Sequence, residues 1–97
     1  MKHKFSVSIT YCPACNWLPR STWMAQELLH TFADELEQVA LRPSEVAGEF
    51  VIAAGDATVW DRRREGGFPD IKVLKQRVRD LIAPERHLGH LDRGQES

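Results

Sequence analysis

KFSVSITYCPACNW, residues 4–17, changes its rule of construction part-way through. Up to Tyr11 the residues alternate: Phe5, Val7, Ile9 and Tyr11 point one way, Lys4, Ser6, Ser8 and Thr10 the other. That period of two predicts a strand with one buried face. Cys12 follows at once, and Cys15 closes a C-x-x-C pair. Beyond it the spacing becomes helical, with Met24, Leu28, Leu29, Phe32 and Leu36 recurring at steps of three and four. Two cysteines at a strand-to-helix junction form a metal half-site, a redox pair or two packed thiols.

The helical pattern predicts a helix over residues 18–38. Pro13 suits a first helical turn, where its missing N–H is not needed. A helix starting at Pro13 would carry Pro19 in its interior and be kinked there. The cysteine turn is therefore expected to be offset from the main helix. A short second strand is predicted over residues 39–42, then a loop marked by Pro43, Ser44 and Gly48. Residues 49–54 and 57–62 read as two strands joined by Gly55-Asp56, which fits a two-residue type II′ hairpin. Residues 63–67 read as a loop, and the short basic run Arg62-Arg63-Arg64, followed by Glu65, as part of a solvated loop and not a phosphate-binding surface. Asp70 can cap a second helix, with Ile71, Leu74, Val78, Leu81 and Ile82 on one face and Pro84 as its end.

The order is β-α-β-β-β-α. The first β-α-β unit should be a right-handed crossover with parallel strands, and the later two strands an antiparallel hairpin. Each helix has a single apolar stripe, so both should cover one face of a mixed four-stranded sheet. The face carrying Ser6, Ser8 and Thr10 is left open. The expected architecture is an α/β two-layer sandwich.

With 97 residues, the chain holds one domain. The ordered core is expected over about residues 4–84, with a loosely held polar tail over 85–97. A net charge of −1 supplies no field to gather nucleic acid or an anionic membrane. No stretch approaches the ~18 apolar residues of a membrane span, and the first residues do not read as a signal peptide. The expected location is cytoplasmic. In reducing cytosol a close cysteine pair is catalytic or metal-binding more often than a structural disulfide.

Thiol–disulfide exchange needs one accessible thiolate and a second thiol near enough to resolve the mixed disulfide. A C-x-x-C at a helix start meets both needs, since backbone N–H groups and the helix dipole stabilise a thiolate there. On this reading Cys12 is the exposed attacking thiol and Cys15 the resolver. Zinc needs four ligands, and only His87-x-x-His90 completes the set, at shorter spacing than the about three to five residues of finger sites. Two cysteines packed as small hydrophobes remain an alternative. A cysteine hydrolase needs a histidine base. His3 lies roughly 30 Å from Cys12 along an extended strand, and His30 roughly 22 Å from Cys15 along a helix. The strand–C-x-x-C–helix context favours the redox pair, with no metal.

Two further features bear on a site. Gly66-Gly67-Phe68-Pro69-Asp70 precedes the second helix. Its glycines admit a ligand close to the backbone and the helix start attracts a carboxylate. The plainer reading is that Asp70 caps the helix and the glycines make the turn. Trp17 is a candidate docking surface beside the cysteines. Trp23 reads as core and Trp60 as sheet packing.

The run of strand, YCPACNW, helix, short strand, RPSEVAGEF, hairpin, RRREGGFPD and helix resembles the selenoprotein W-like (Rdx) family, also called the SelT/SelW/SelH group. The resemblance spans about residues 4–84. It implies a thioredoxin-like fold and a thiol-based redox role on protein thiols or disulfides, with glutathione as a co-substrate and no resident cofactor. Animal members carry selenocysteine at the second redox position. Here that position is Cys15, which makes this an all-cysteine, bacterial-type member. That placement points to the order of attack opposite to the helix-start argument. Residues 66–70 also resemble the glutaredoxin turn that holds the γ-glutamyl end of glutathione. The resemblance thus implies a glutathione groove between the cysteine turn and residues 66–70, with Gly66, Gly67 and Asp70 as contacts.

Overall fold

The computed structural model describes residues 4–89. Strand β1 (Phe5–Tyr11) buries Val7, Ile9 and Tyr11, as the alternation requires. Phe5 departs from it. The pairing with β2 shifts register between Phe5 and Ser6, and Phe5 is left exposed.

Helix α1 (Leu18–Thr31) begins after the cysteine turn, not within it. Pro19 falls in its first turn, where an N–H would have no partner, so it causes no kink. The N-cap residue Trp17 offers no side-chain cap. Its carbonyl accepts from both the N–H (3.0 Å) and the Oγ (2.8 Å) of fully buried Ser21. Met24, Ala25 and Leu28 face the core, while Leu29 is exposed.

The predicted helix over residues 18–38 is too long. The chain leaves α1 at Phe32, whose carbonyl accepts from Glu35 N (3.0 Å) and Leu36 N (2.8 Å). Leu36 continues the helical spacing, yet it is the first residue of β2 (Leu36–Pro43). Phe32 and Leu36 are both buried, so an apolar step of four served a tight turn as well as a helix. The second strand is correspondingly longer than residues 39–42.

Strand β2 pairs with β1 in parallel. Strands β3 (Phe50–Ala54) and β4 (Ala57–Asp61) form the antiparallel hairpin, and β3 also pairs antiparallel with β1. Gly55 has φ +58° while Asp56 has no positive φ, the pattern of a II′ turn. The sheet order is β2-β1-β3-β4.

The loop expected over residues 63–67 contains a helical turn, α2 (Arg62–Glu65). Asp61 accepts from Arg63 N at its start, and Gly66 closes it with φ +82°, a conformation that favours glycine. Helix α3 (Ile71–Ile82) starts as predicted, with Asp70 Oδ1 accepting from Lys72 N at 2.8 Å. Leu74, Val78 and Ile82 form its buried stripe, and Leu81 is exposed. The helix stops two residues before Pro84.

Both helices cover one sheet face and touch each other. Lys75 on α3 reaches Glu27 on α1 at 2.9 Å, largely shielded from water. Phe50, Ile52, Ile9, Leu28 and Leu74 lie in the layer between. Each such side chain contributes roughly 1.5–3 kcal/mol by leaving water. On the other face Ser6, Ser8, Gln38, Ala40 and Arg42 line a shallow open depression.

The tail expected to be loose from residue 85 is docked over its first residues. Arg86 pairs with Glu35 at 2.8 Å and stacks over Phe32, and its carbonyl accepts from Arg79. Leu88 packs against the core. The remainder of the predicted tail, 90–97, lies outside the described residues.

Candidate redox site

Cys12 stands where β1 ends, between the ends of β2 and β3. Tyr11, one residue earlier, is in register with Pro43 on one side and Phe50 on the other. Residues Pro13–Cys15 then form a single 3₁₀ turn, with Cys15 N donating to Cys12 O at 3.3 Å. Pro13 occupies the turn's first position. Asn16 ends it in the left-handed region (φ 61°, ψ 38°), which Asn tolerates better than most side chains. That reversal separates the cysteine turn from α1, so the offset inferred from Pro19 holds.

Cys12 and Cys15 form a disulfide, with Cα atoms 5.3 Å apart. The two ends of the bond differ in access. Cys12 is 2% exposed, whereas Cys15 is partly open to solvent and is preceded by exposed Pro13 and Ala14. The helix-start argument, which makes Cys12 the exposed thiol, is therefore corrected. It assumed that the pair opens a long helix. The pair instead brackets its own turn, and Cys12, the residue capping that turn, continues the buried end of the strand.

The reading of Trp23 as core is corrected, and Trp17 is more enclosed than a surface residue. Trp23 is 48% exposed. It lies beside the stripe of Ser21, Met24, Ala25 and Leu28, not on it. Trp17 is half-buried, with its ring edge-on to Phe68 at 4.9 Å and to Phe50 at 6.4 Å. Phe50 and Phe68 are themselves 4.9 Å apart. Trp60 packs in the sheet, and its Nε1 donates to Gly67 O at 2.8 Å.

The second turn thus comes to the same edge as the cysteines. Phe68, inside residues 66–70, meets Trp17, two residues after Cys15. The space between the turns is filled by these rings. Gly66 closes α2, the Gly67 carbonyl is taken by Trp60, and Asp70 caps α3. The plainer reading of Gly66, Gly67 and Asp70 accounts for their observed contacts.

Two arginines border the cluster. Arg20 in the first turn of α1 places its guanidinium 4.1 Å from the Phe68 ring centre. Arg62 lies 4.7 Å from that of Trp17 and 5.4 Å from that of Phe68, and its Nε is buried without a hydrogen-bond partner. Arg62 is thus no part of a solvated loop. The sequence carried no signal for this, because the contact depends on α2. Of the histidines, His30 lies in the last turn of α1, His87 Nδ1 accepts from Gly89 N at 3.0 Å, and His3 and His90 lie outside the described residues. Among the described residues no group of three His, Cys, Asp or Glu is placed to hold a metal ion.

A parallel β-α-β crossover continued by a hairpin, with helices on one face and a C-x-x-C disulfide at the end of the first strand, defines a thioredoxin-like protein. The chain belongs to the Rdx family, whose model matches residues 6–80. It is 29% identical over 72 residues to selenoprotein W of Gallus gallus, covering 74% of this chain and 85% of that protein. A selenoprotein W-related protein from Vibrio cholerae has a similar structure, with a TM-score of 0.79 and 54% identity over 81% of this chain and 98% of that one. A protein from Bordetella parapertussis gives a TM-score of 0.79 and 52% identity, over 82% and 100% of the two chains. No described helix is long and apolar enough to cross a membrane.

Proposed function

We propose that the protein is a thiol–disulfide redox protein that cycles Cys12 and Cys15 between dithiol and disulfide. The observation that carries this reading is the disulfide itself, buried at Cys12 and accessible at Cys15. In the reducing direction the Cys15 thiolate attacks a substrate disulfide and releases one thiol. Cys12 then attacks the Cys15 sulfur, releases the second thiol and closes the internal bond. The greater exposure of Cys15 supports giving it the first attack, and the family's selenium position supports the same order. The partners are protein thiols or disulfides in a reducing, cytoplasmic setting. A net charge of −1 argues against nucleic acid or membrane as partner.

Glutathione is the proposed small co-substrate, taken along the edge where the cysteine turn meets residues 66–70. Trp17 and Phe68 would form the floor, since their rings fill the space between the turns. NMR titration with a non-reacting S-alkyl glutathione tests this. Shifts at residues 12–17 and 66–70 are expected. Shifts only elsewhere, or none at millimolar ligand, would remove glutathione from this edge.

A second reading rests on the open sheet face with its depression lined by Ser6, Ser8, Gln38, Ala40 and Arg42. There the protein is a redox-responsive binding module without turnover. An assay with a disulfide substrate and a recycling reductase separates the two. Sustained substrate reduction supports the oxidoreductase. One stoichiometric oxidation that alters partner binding supports the module.

A further inference from the structure

Several of the described cations are engaged by other groups. Lys75, Arg77, Arg79 and Arg86 each pair with a carboxylate. Arg63 donates to the Ala47 carbonyl. Arg20 and Arg62 have no carboxylate partner among the described residues, although both guanidiniums are held against aromatic rings. They stand on the same ring pair, Arg20 over Phe68 and Arg62 over Trp17 and Phe68. The nearby acids are engaged elsewhere: Asp61 caps Arg63 N, Glu65 holds Arg77 and Asp70 caps Lys72 N. Trp17 follows Cys15 by two residues, so the ring pair that carries both guanidiniums includes a side chain from the segment leading out of the cysteine turn.

We propose that Arg20 and Arg62 recognise a carboxylate carried beside the reactive sulfur of the substrate, so that the site prefers anionic disulfides. This rests on the redox reading above. Both guanidiniums already lie on ring faces, so little side-chain freedom is lost when an anion arrives. A planar guanidinium presents paired N–H groups that match a carboxylate. The chemistry is ordinary exchange. The Cys15 thiolate attacks RS–SR and expels RS⁻, and Cys12 then displaces the second RS⁻ from Cys15. The two protein thiol protons end on the two released thiols, so one disulfide is reduced as the other forms.

The test is the oxidation rate of the fully reduced protein with three symmetrical disulfides. These are dianionic 3,3′-dithiodipropionate, neutral 2-hydroxyethyl disulfide and dicationic cystamine. With each rate divided by that of the same disulfide with a small neutral thiol, which removes the difference in leaving group, the order dianion, neutral, dication is expected at low salt, with each step roughly threefold and shrinking as salt rises. R20Q/R62Q should flatten the order, R62K should retain most of it, and K4Q, at the opposite end of β1, should leave it unchanged. If R62Q fails to fold, R20Q and the salt series on the wild type carry the test. Glutathione disulfide and an acidic peptide disulfide, run in parallel, show whether a small molecule or a peptide supplies the carboxylate. Oxidation by all three probes with no charge order, or an order that survives R20Q/R62Q, would overturn the proposal while leaving the redox reading intact. A uniform change of all three rates in the variant would also overturn it, because that marks an effect on the thiol and not on recognition. Oxidation by none of the probes would remove the redox reading itself.

Discussion

Two turns meet at one edge of this molecule, and they use the same vocabulary differently. Residues 12–15 and 66–70 each contain a proline and each lead into a helix. In the second turn the observed polar contacts are internal: Gly67 O to Trp60, Asp70 to the α3 backbone, Gly66 in the conformation that ends α2. In the first, the reactive atoms are joined only to each other, and one of them faces outward. The observed polar contacts of the second turn end one helix, begin the next and meet Trp60. A turn that leaves a reactive bond partly exposed retains chemistry to perform.

The comparison can be broken most severely at the ring that joins the turns. Phe68→Ala should cost about 2–3 kcal/mol, below the ~3–5 kcal/mol of a fully buried phenylalanine because Phe68 is only partly buried. Urea unfolding followed by circular dichroism measures it. A loss under about 0.5 kcal/mol would mean that the ring cluster does not hold the turns together.

Reducing the disulfide should come next. Closing so short a loop restricts the unfolded chain by about 2 kcal/mol at most in the chain-entropy account. Unfolding of oxidised and reduced protein in parallel should differ by no more than that, and both should show the same far-ultraviolet spectrum. Asp70→Ala should cost about 1 kcal/mol as a lost cap while leaving the oxidation rate of the cysteine pair within about twofold. A large rate loss at unchanged stability would give the second turn a direct part in the chemistry.

The smallest effect is electrostatic. The Arg77 hydrogen bond holds the Glu65 carboxyl below its ordinary value, and Glu65 raises Arg77 in turn. A carboxyl depressed in the folded state contributes stability above its unfolded pKa and loses it as pH falls through the folded value. Stability should therefore decline slightly more on acidification in the wild type than in Glu65→Gln. Urea midpoints between neutral pH and pH 3 would show the difference.

How much of this was legible depended on range. The β1 alternation from Val7 to Tyr11, the Gly55-Asp56 hairpin, the Asp70 cap and the offset forced by Pro19 are local, and each appears as expected. The end of α1 was not legible, because Leu36 keeps the helical step while lying in a strand. Trp23 could have been read correctly, since it falls beside the buried stripe. Trp17 could not, because its partners Phe50 and Phe68 come from distant segments. The same holds for Arg20 and Arg62, which gain meaning only when α2 brings Arg62 over the ring of Trp17. The access of the two sulfurs turned on whether the pair opens a long helix or a separate turn. Pro19 hinted at the second answer, but the spacing alone did not say which sulfur would then face out.

The central claim is that Cys15 attacks and Cys12 resolves. It is tested most directly by the rate at which single-cysteine variants form a mixed disulfide with a neutral probe, 2-hydroxyethyl disulfide, followed by intact mass. The account predicts that Cys12→Ser, which retains accessible Cys15, gains the adduct at least about tenfold faster than Cys15→Ser, because attack requires access as well as thiolate character. A faster adduct on Cys15→Ser would contradict the account.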